Sequence, residues 1–470
     1  MKGIVAPAPA LVLVALALSG CVSGPEDGAF LEGPVVDPPL LEHNILVLPE
    51  LPAPANLENV PQFVLRSVGV PASEPTLGVT SKDTVFFVAG THVMRSSDLG
   101  ATWTDVGQKA GPATLPPTTL DPMLYVDPVT DRVFVDQLYV GCSFLSYSDD
   151  EGGSWMHNPA ACGLPGDDHQ TLAAGPTSLP APLYEGRALY YCANQLADST
   201  CAVSLDGGLT FPITRPVFAG DHGVDCGGIS GHVKTAPDGT IYLPAWRCDQ
   251  AWLAISRDDG NTWTARRMSD TSSGPMDPSV AIGRDGSVNY YWMDTEGHPW
   301  LMVSPDGGAT WGAPIDVAFP GLVVANLPAI VAGDGGRIAM TFIATTQGKA
   351  VSPGRVDTTT PWDLYVTLST DALSPEPHFI TVRLNPAGDP IFRGPCSGGY
   401  RCGAIVDFMD IQIGPDGRIY VSSVDACGTS DCIGSAPAAG AVADGMGVLG
   451  ALLGGPSLLK DRQAFVAPVP

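Results

Sequence analysis

Short apolar runs, separated by turns rich in glycine, proline and aspartate, recur along most of the chain. Between residues 276 and 319 these runs cover 279–282, 287–293, 300–304 and 313–317. Apolar runs of about four to eight residues that are bounded by turn residues predict β-strands. We therefore expect four short antiparallel strands in this segment.

An eight-residue pattern marks the turn before the fourth run: Ser, any residue, Asp, any residue, Gly, any residue, Thr or Ser, aromatic. Five copies begin at Ser96, Ser148, Ser204, Ser256 and Ser304, and a sixth, which has lost the glycine and the aromatic residue, begins at Ser369. A period of about fifty residues is typical of propellers and solenoids, and four antiparallel strands form one propeller blade. Within each turn we expect the aspartate to accept N–H bonds and the glycine to adopt positive φ.

The turn between the first and second strands of each repeat provides a count of blades. It falls at residues 81–83, 128–131, 184–186, 237–239, 284–286, 334–336 and 415–417. These turns predict an all-β fold, a seven-bladed β-propeller of four-stranded antiparallel blades, with six blades as the alternative. Residues 64–70 are expected to add a strand to the last blade, which ends in the Ala/Gly-rich stretch 433–455, and so to close the ring.

The eight-residue pattern resembles the Asp-box, or bacterial neuraminidase repeat, of sialidases and many other β-propellers. The resemblance covers roughly residues 70–430 and implies a sialidase-like propeller, the six-bladed alternative. It also implies that the repeats lie on the face away from the active site, so their aspartates are expected to be structural. Sialidases of this type use three arginines, a Tyr–Glu nucleophile pair, an Asp acid/base and an Arg-Ile-Pro motif. That motif is absent here, and the nearest sequence is Arg66-Ser67-Val68.

The composition excludes one class of partner. The chain has 23 Lys and Arg against 49 Asp and Glu, a formal net charge of -26. Such a surface repels phosphate backbones, so we expect no nucleic-acid binding. The acid consists of 39 Asp and only 10 Glu; aspartate favours turns, whereas glutamate favours helix interiors.

The beginning of the chain has the features of a targeting segment. Lys2, the apolar run 4–18 and the sequence Leu18-Ser19-Gly20-Cys21 describe a secretory leader. The last four residues resemble the lipobox of prokaryotic lipoproteins, which implies cleavage before Cys21 and attachment of a lipid to its sulfur; an ordinary signal peptide is the alternative. We predict a lipoprotein signal peptide over residues 1–20, a Pro-rich tether over 21–62 and the propeller over 63–470. The protein is then a monomer, held to a membrane of the cell envelope by lipid and facing outside the cytoplasm.

The other cysteines fit an oxidising compartment. Apart from Cys21 they form close sequential couples, which are Cys142/Cys162, Cys192/Cys201, Cys226/Cys248, Cys396/Cys402 and Cys427/Cys432. Local disulfides are the simplest pairing for them. The alternative is a metal cluster, but the chain has no C-x-x-C pair, which argues against zinc–thiolate binding.

The residues that open the first strand of each repeat are the main site candidates. They point to the central channel on the face that carries the longest predicted loops, where binding sites usually lie. Together with residues that end second strands they form a candidate ring: Glu74, Asp121, Asp168, His169, His232, Trp246, Arg247, Asp277, Asp294, Asn326 and Asp410. Its carboxylates would bind a cationic group, sugar hydroxyls or a divalent cation such as calcium, or act as general acid and base. Trp246 beside Arg247 suits a sugar face and its carboxylate. The alternative is that the ring only caps strand starts and lines a wet channel.

Two classes of function stay open. The first is a lipid-anchored propeller that recognises a glycan or protein ligand at the channel mouth and requires no cofactor. The second is a glycoside hydrolase, either an exo-sialidase or a related enzyme with a carboxylate pair such as Asp121 with Asp277. Arg247, Arg393 and Arg401 are candidates to face a ligand, but no spacing identifies them as a triad. Three arginines and a Tyr–Glu contact in one pocket would favour the enzyme, and an open acidic face would favour the binding module.

Overall fold

The fold consists of β-strands. The computed structural model describes residues 45–47, 62–107, 121–139, 142–158, 168–195, 198–218, 228–274, 276–348, 360–394, 402, 405, 407–427 and 446–454. Every regular element in this part of the chain is a strand, so the predicted all-β fold is confirmed. Among the same residues there is no helix with the length and apolar character needed to cross a membrane.

Strands are numbered along the chain and grouped into blades from the channel outward. The first two strands, β1 (Ile45–Val47) and β2 (Gln62–Pro71), join sheets formed by later segments. The first blade contains β3 (Thr76–Val79), β4 (Val85–Ala89), β5 (His92–Ser96) and β6 (Thr104–Asp105). The second blade contains β7 (Met123–Val126), β8 (Val133–Tyr139), β9 (Cys142–Ser148) and β10 (Met156–Asn158). The third blade contains β11 (Asp168–Pro176), β12 (Arg187–Asn194), β13 (Ser199–Ser204) and β14 (Ile213–Pro216). Neighbouring strands within these blades are antiparallel, as predicted.

The next three blades keep this plan with additions. The fourth blade contains β15 (Gly228–Ser230), β16 (Lys234–Thr235), β17 (Ile241–Arg247), β18 (Gln250–Ser256) and β19 (Thr264–Arg267). The fifth blade contains β20 (Ser279–Ile282), β21 (Val288–Met293), β22 (Pro299–Ser304) and β23 (Ile315–Asp316). The sixth blade contains β24 (Val324–Ala332), β25 (Ile338–Thr345), β26 (Pro361–Ser369), β27 (Phe379–Arg383) and β28 (Phe392–Arg393). In the fourth blade, β15 and β16 are two halves of an interrupted inner strand, and both pair with β17. In the sixth blade, β28 pairs with β26, and β1 lies parallel to β27.

A composite sheet closes the ring. It contains β29 (Asp410–Ile413), β30 (Ile419–Asp425) and β31 (Met446–Gly454), with β2 antiparallel to β31. Inner strands contact one another in the order β3, β7, β11, β16, β20, β24, β29 and back to β3. The expected closure by a strand from the beginning of the propeller is therefore confirmed. Six blades are built from consecutive strands, which matches the six-bladed alternative and not the prediction of seven such blades. The sheet counted as a seventh blade is composite, because its outer strand β2 comes from the other end of the propeller.

The eight-residue repeats form the turns between third and fourth strands. In the copy at 256–263, Asp258 accepts hydrogen bonds from the Thr262 N–H at 2.8 Å and from Thr262 Oγ1 at 2.7 Å. Ser256 Oγ donates to Asp258 at 3.0 Å and accepts from the Gly260 N–H at 2.9 Å. Gly260 has φ of 78°, as the turn requires. In the sixth copy His378 takes the place of the threonine and bonds to Asp371 through its N–H and Nδ1.

The apolar core lies between neighbouring blades. Phe86, Leu124 and Val135 pack between the first and second blades, and Leu172 and Leu189 contribute to the layer between the second and third. The side chains of the strands pack in these layers between blades. The channel is therefore lined by the edges of the inner strands and by the residues that precede them. The fold therefore concentrates polar side chains at the channel mouth.

One predicted disulfide is confirmed. Cys192 in β12 and Cys201 in β13 lie opposite each other, with 4.1 Å between their Cα atoms, and are disulfide-bonded. Cys248, Cys402 and Cys427 are also disulfide-bonded. The cysteines predicted to pair with them, Cys226, Cys396 and Cys432, lie outside the described residues, as does Cys162.

Residues 1–44 and 48–61, which include the predicted signal peptide, Cys21 and most of the predicted tether, lie outside the described residues. Most of the long loops predicted around the channel mouth, such as 219–227, 349–359 and 395–401, also lie outside them.

Candidate functional site

Two backbone irregularities direct side chains into the channel. Glu74 and His169 have positive φ angles of 48° and 49°, a region that residues other than glycine seldom adopt. At His169 the irregularity is a bulge: Asp168 pairs with Asn194, and the regular register of β11 with β12 resumes only at Thr171. Bulges re-aim a side chain out of the strand alternation. The first and third blades thereby turn a glutamate and a histidine towards the ring centre.

His169 is the centre of this arrangement. Its Nδ1 lies 2.9 Å from Asp277 Oδ2, and its Nε2 lies 3.8 Å from Asp407 Oδ2. Its main-chain N–H donates to Asp121 Oδ2 at 3.3 Å. Asp277 precedes β20 and Asp407 precedes β29, so the histidine of the third blade reaches the fifth blade and the composite sheet. Blades that are not neighbours meet only across the channel, and His169 therefore spans it.

The charge of His169 follows from these partners. Burial alone would lower its pKa, but the hydrogen-bonded Asp277, followed by Asp168 and Asp121, raises the pKa of His169 well above its ordinary value. The ring is therefore an imidazolium at neutral pH, with Nδ1 donating to Asp277 and Nε2 facing Asp407. It supplies the positive charge around which the carboxylates gather.

Three further carboxyl groups are linked by hydrogen bonds. Asp121 is hydrogen-bonded to both Glu74 and Asp168, and each such contact requires a proton on one partner. Glu74 is 2% exposed, and its burial, together with the charges of Asp121 and Asp407, raises its pKa well above the usual range. Glu74 is therefore a neutral hydrogen-bond donor at neutral pH.

Asp168 differs because it is solvent-exposed as a residue. Partial burial of its carboxyl group raises the pKa of Asp168 to about 6, the charge of His169 opposes this, and the hydrogen bond with Asp121 adds to the rise. Asp168 thus changes charge near neutral pH. We name the group Glu74, Asp121, Asp168, His169, Asp277 and Asp407 the mouth cluster.

His232 lies beside the mouth cluster. Its ring stands edge-on to Phe408 with 5.1 Å between centroids, and the Phe408 ring is 6.3 Å from that of His169. Burial, then the charges of Lys234 and His169, lowers the pKa of His232 to about 3. This histidine is therefore neutral, in contrast to His169.

Trp246 and Arg247 are held within the fourth blade and its neighbouring loops. Arg247 pairs with Asp198 at 3.1 Å and lies over the Phe218 ring, 4.6 Å from its centroid. Trp246 Nε1 donates to the Ser273 carbonyl at 3.2 Å. Both side chains have protein partners away from the mouth cluster.

Three other ring candidates also serve local structure. Asp294 accepts the Glu296 and His298 N–H groups, each at 2.9 Å, and so closes the hairpin between β21 and β22. Asn326 donates to Cys402 Sγ at 3.1 Å. Asp410 accepts from the Leu77 N–H at 3.1 Å and the Ile411 N–H at 2.8 Å, which ties the composite sheet to the first blade.

Asp407 and Phe408 were missed by the sequence reasoning. The pattern placed the start of β29 at Asp410, which is correct, but the two residues that reach the channel centre lie just before it. The only signal was a second aspartate three positions upstream of Asp410.

The described residues place neither an arginine triad nor a metal site in the mouth cluster. Their arginine ion pairs involve other carboxylates, such as Arg187 with Asp127 and Arg383 with Asp363. Arg401 lies outside the described residues. Within the described ranges, no three His, Cys, Asp or Glu side chains are arranged to hold a metal ion.

Comparisons with known proteins concern the architecture alone. No protein-family model and no curated protein matches the sequence. Among solved structures, the chain is similar to the BP39L lectin from Burkholderia pseudomallei, with a TM-score of 0.48, 12% identity and coverage of 79% of this chain and 94% of the lectin. It is similar to the GH74 xyloglucanase from Xanthomonas campestris, with a TM-score of 0.47, 15% identity and coverage of 77% and 54%. It is also similar to the NanB sialidase from Streptococcus pneumoniae, with a TM-score of 0.41, 11% identity and coverage of 82% and 69%. Nothing about ligands or reactions follows from likenesses at these identities.

Proposed function

We propose that the protein is a ligand-binding propeller that recognises a glycan at the channel mouth through the mouth cluster. The observation that carries the proposal is the convergence of carboxyl groups from four blades and the composite sheet around one imidazolium. Ionised carboxylates accept hydrogen bonds from sugar hydroxyls, and a polyhydroxylated ligand offers several such donors.

The charge of the mouth cluster selects among glycans. Asp277, Asp407 and the wider chain, whose formal net charge is -26, disfavour acidic sugars. A neutral sugar, or an amino sugar with a protonated nitrogen, is compatible with the same groups. Asp168 is the exposed member and is the residue expected to touch the ligand.

The test is binding to a panel of neutral, amino and acidic glycans, followed by calorimetric titration of the best ligand. Asp168→Asn should weaken that ligand at least about tenfold, or about 1.4 kcal/mol. Asp238→Asn is the matched control. Asp238 lies in the exposed turn between β16 and β17, and an asparagine there still accepts the hydrogen bond from the Thr240 N–H. Equal affinity of wild type and Asp168→Asn would reject the proposed site. If a basic peptide, tested beside the glycans, bound more tightly than any of them, the proposed ligand class would be wrong.

The pH dependence follows from Asp168. An ammonium-bearing glycan needs the ionised carboxylate, so its affinity should rise as the pH increases through about 6. In Asp168→Asn this rise should be absent. A pH-independent affinity in the wild type would contradict the role of Asp168.

A glycoside hydrolase is the second candidate, favoured by an exposed carboxyl with a raised pKa beside ionised carboxylates. Such a group acts as general acid while a neighbouring carboxylate acts as base or nucleophile. Its test is hydrolysis of nitrophenyl glycosides of those sugars that bind. An activity whose pH profile loses a limb near pH 6 in Asp168→Asn would support it. Tight binding without hydrolysis would favour the non-catalytic glycan-binding function instead.

We also propose that the protein is anchored by lipid on Cys21 and faces outside the cytoplasm. The support is the lipobox-like sequence and the cysteine usage of the chain. Cys21→Ser should move the protein from the membrane fraction to the soluble fraction. An unchanged distribution would reject the anchor.

A further inference from the structure

Exposed apolar side chains gather where the second and third blades meet, on the face of the propeller away from the channel mouth. Among the described residues, five large apolar side chains are exposed, and four of them lie at this boundary. We name these four the lower patch: Val129, Met156, Leu183 and Leu209, which are 46%, 55%, 83% and 44% exposed. Apolar residues that are scattered singly over a surface need no explanation, whereas a contiguous group is typical of an interaction site.

The direction of the strands places the lower patch on one face. First strands begin at the channel mouth, so the turns that follow first and third strands lie at the opposite end of each blade. Val129 and Leu183 lie in turns that follow first strands, and Leu209 lies in the eight-residue repeat of the third blade. Met156 directly follows the repeat of the second blade.

Hydrogen bonds join the segments that carry the lower patch. The Leu183 N–H donates to the Leu205 carbonyl at 2.7 Å, which holds its turn against the repeat that contains Leu209. On the other side of that repeat, Asn158 Nδ2 donates to the Leu209 carbonyl at 2.8 Å. Met156 and Asn158 lie on the same side of β10, because side chains alternate along a strand. The segments that carry three of the four side chains are therefore in direct contact.

Contacts of Tyr184 and Arg132 connect the fourth segment. Thr130, the residue after Val129, is hydrogen-bonded to the Tyr184 hydroxyl at 2.8 Å. Arg132 donates to the Gly207 carbonyl in the repeat of the third blade at 3.0 Å, and its guanidinium lies 5.0 Å from the centroid of the Tyr184 ring. Because these contacts fix the turns to one another, the lower patch is already formed before a partner binds, which reduces the entropic cost of binding.

Carboxylates flank the lower patch. Asp150 and Asp206 belong to the repeats of the second and third blades, and Glu185 is exposed in the turn before β12. Hydrogen bonds from Ser154 lower the pKa of Asp150. Burial alone would raise the pKa of Asp206, but hydrogen bonds from Thr210 bring it below its ordinary value. Both aspartates are therefore ionised at neutral pH.

The arginines at this boundary do not neutralise the flanking carboxylates. Arg132 is paired with Asp149 at 2.6 Å, and Arg187 is paired with Asp127 at 2.9 Å. A second copy of the chain would bring the same carboxylates together, and the phosphates of a bilayer surface would be repelled. A segment that carries lysine or arginine beside apolar side chains complements both the charge and the apolar surface.

We propose that the lower patch is a docking surface for a protein partner that presents large apolar side chains flanked by lysine or arginine. Burial of the exposed apolar side chains provides the affinity, and the carboxylates orient the partner and speed its association. The surface lies on the face opposite the mouth cluster, so the proposal does not depend on glycan binding.

The test uses a random peptide library displayed on phage, which is panned against the purified full chain. Enriched peptides are synthesised and titrated by calorimetry against the wild type and a double variant that combines Leu183→Ser and Leu209→Ser. The enriched peptides should combine large apolar residues with lysine or arginine, and should bind the double variant at least about tenfold more weakly. Leu373→Ser is the matched control, because Leu373 is an exposed leucine in the sixth blade, and it should leave the affinity unchanged.

The contribution of charge is tested separately. Glu185→Gln should weaken the same peptides at least about twofold at low salt, and this difference should shrink in about 0.5 M salt because exposed charges are screened. Glu376→Gln, at an exposed glutamate of the sixth blade, is the control and should have no such effect.

Two kinds of result would overturn the proposal. The first is a panning experiment in which no enriched peptide binds the wild type more tightly than the double variant. The second is self-association, or binding to phosphatidylglycerol vesicles, that the wild type shows and the double variant loses, because the lower patch would then serve a second copy or a bilayer. Glycan affinity should be the same in the double variant and the wild type, which separates this surface from the mouth cluster.

Discussion

The ion pair between His169 and Asp277 provides a sharp test of the electrostatics of the channel. Both side chains are buried, and the imidazolium donates to Asp277 at 2.9 Å. Asp277→Asn removes the charge that holds the proton on His169, so the histidine must either stay charged without its partner or lose the proton. A hydrogen bond to a charged group contributes about 1.5–3 kcal/mol, and removing one partner of a buried pair costs about 3–5 kcal/mol. We expect a loss of about 3 kcal/mol in the free energy of unfolding.

The pH dependence distinguishes this pair from ordinary packing. The folded-state pKa of His169 is raised above its unfolded value, so its contribution is fully present below about pH 6.5 and is lost as the pH rises through the folded value. The difference between wild type and Asp277→Asn should therefore be largest near about pH 6 and smaller at about pH 9.

The assay is urea unfolding followed by tryptophan fluorescence at both pH values. A double-mutant cycle adds His169→Asn, because asparagine tolerates the positive φ of this position. A coupling energy of about 1.5–3 kcal/mol at about pH 6 is expected. A coupling near zero, or a difference that is the same at both pH values, would refute the assignment of an imidazolium to His169.

Three further outcomes follow from the fold. Asp258→Ala should lower the free energy of unfolding by about 1–3 kcal/mol through lost turn bonds and leave ligand affinity intact, as urea unfolding and titration would show; a folded variant that lost only binding would contradict this. Asp127→Ala should cost about 3–5 kcal/mol in the same unfolding assay, because the bidentate Arg187 and the Tyr184 hydroxyl stay buried; a loss below about 1 kcal/mol would count against it. Non-reducing peptide mapping should link Cys192 to Cys201, and any distant partner would refute that pair.

Local pattern determined the architecture of this protein. The eight-residue repeat and the turns after first strands depend on hydrogen bonds between residues a few positions apart, such as Asp258 with Thr262, and those bonds form as read from the sequence. The cross-strand pair Cys192 and Cys201 is equally local, because one hairpin brings the two residues opposite each other. Even the closing strand could be expected, since a ring with one incomplete blade needs a strand from the other end of the chain.

Only part of the candidate ring comes together in the structure. Glu74, Asp121, Asp168, His169 and Asp277 do meet, but Arg247, Asp294 and Asp410 have partners in their own blades or at a blade junction. A repeat pattern places residues at equivalent positions and says nothing about which side chains then find local donors. The bulge that re-aims His169 leaves no signal in the residue types around it.

Contacts across the channel were decided by the tertiary structure alone. His169 meets Asp277 over a separation of 108 residues, and Asp407 approaches it from near the end of the ring. Their protonation depends on this convergence, because burial and neighbouring charge, not residue type, raise the pKa of Glu74 and lower that of His232. Sequence thus determined which blades form and in what order, whereas closure of the ring determined which charges must share one small volume.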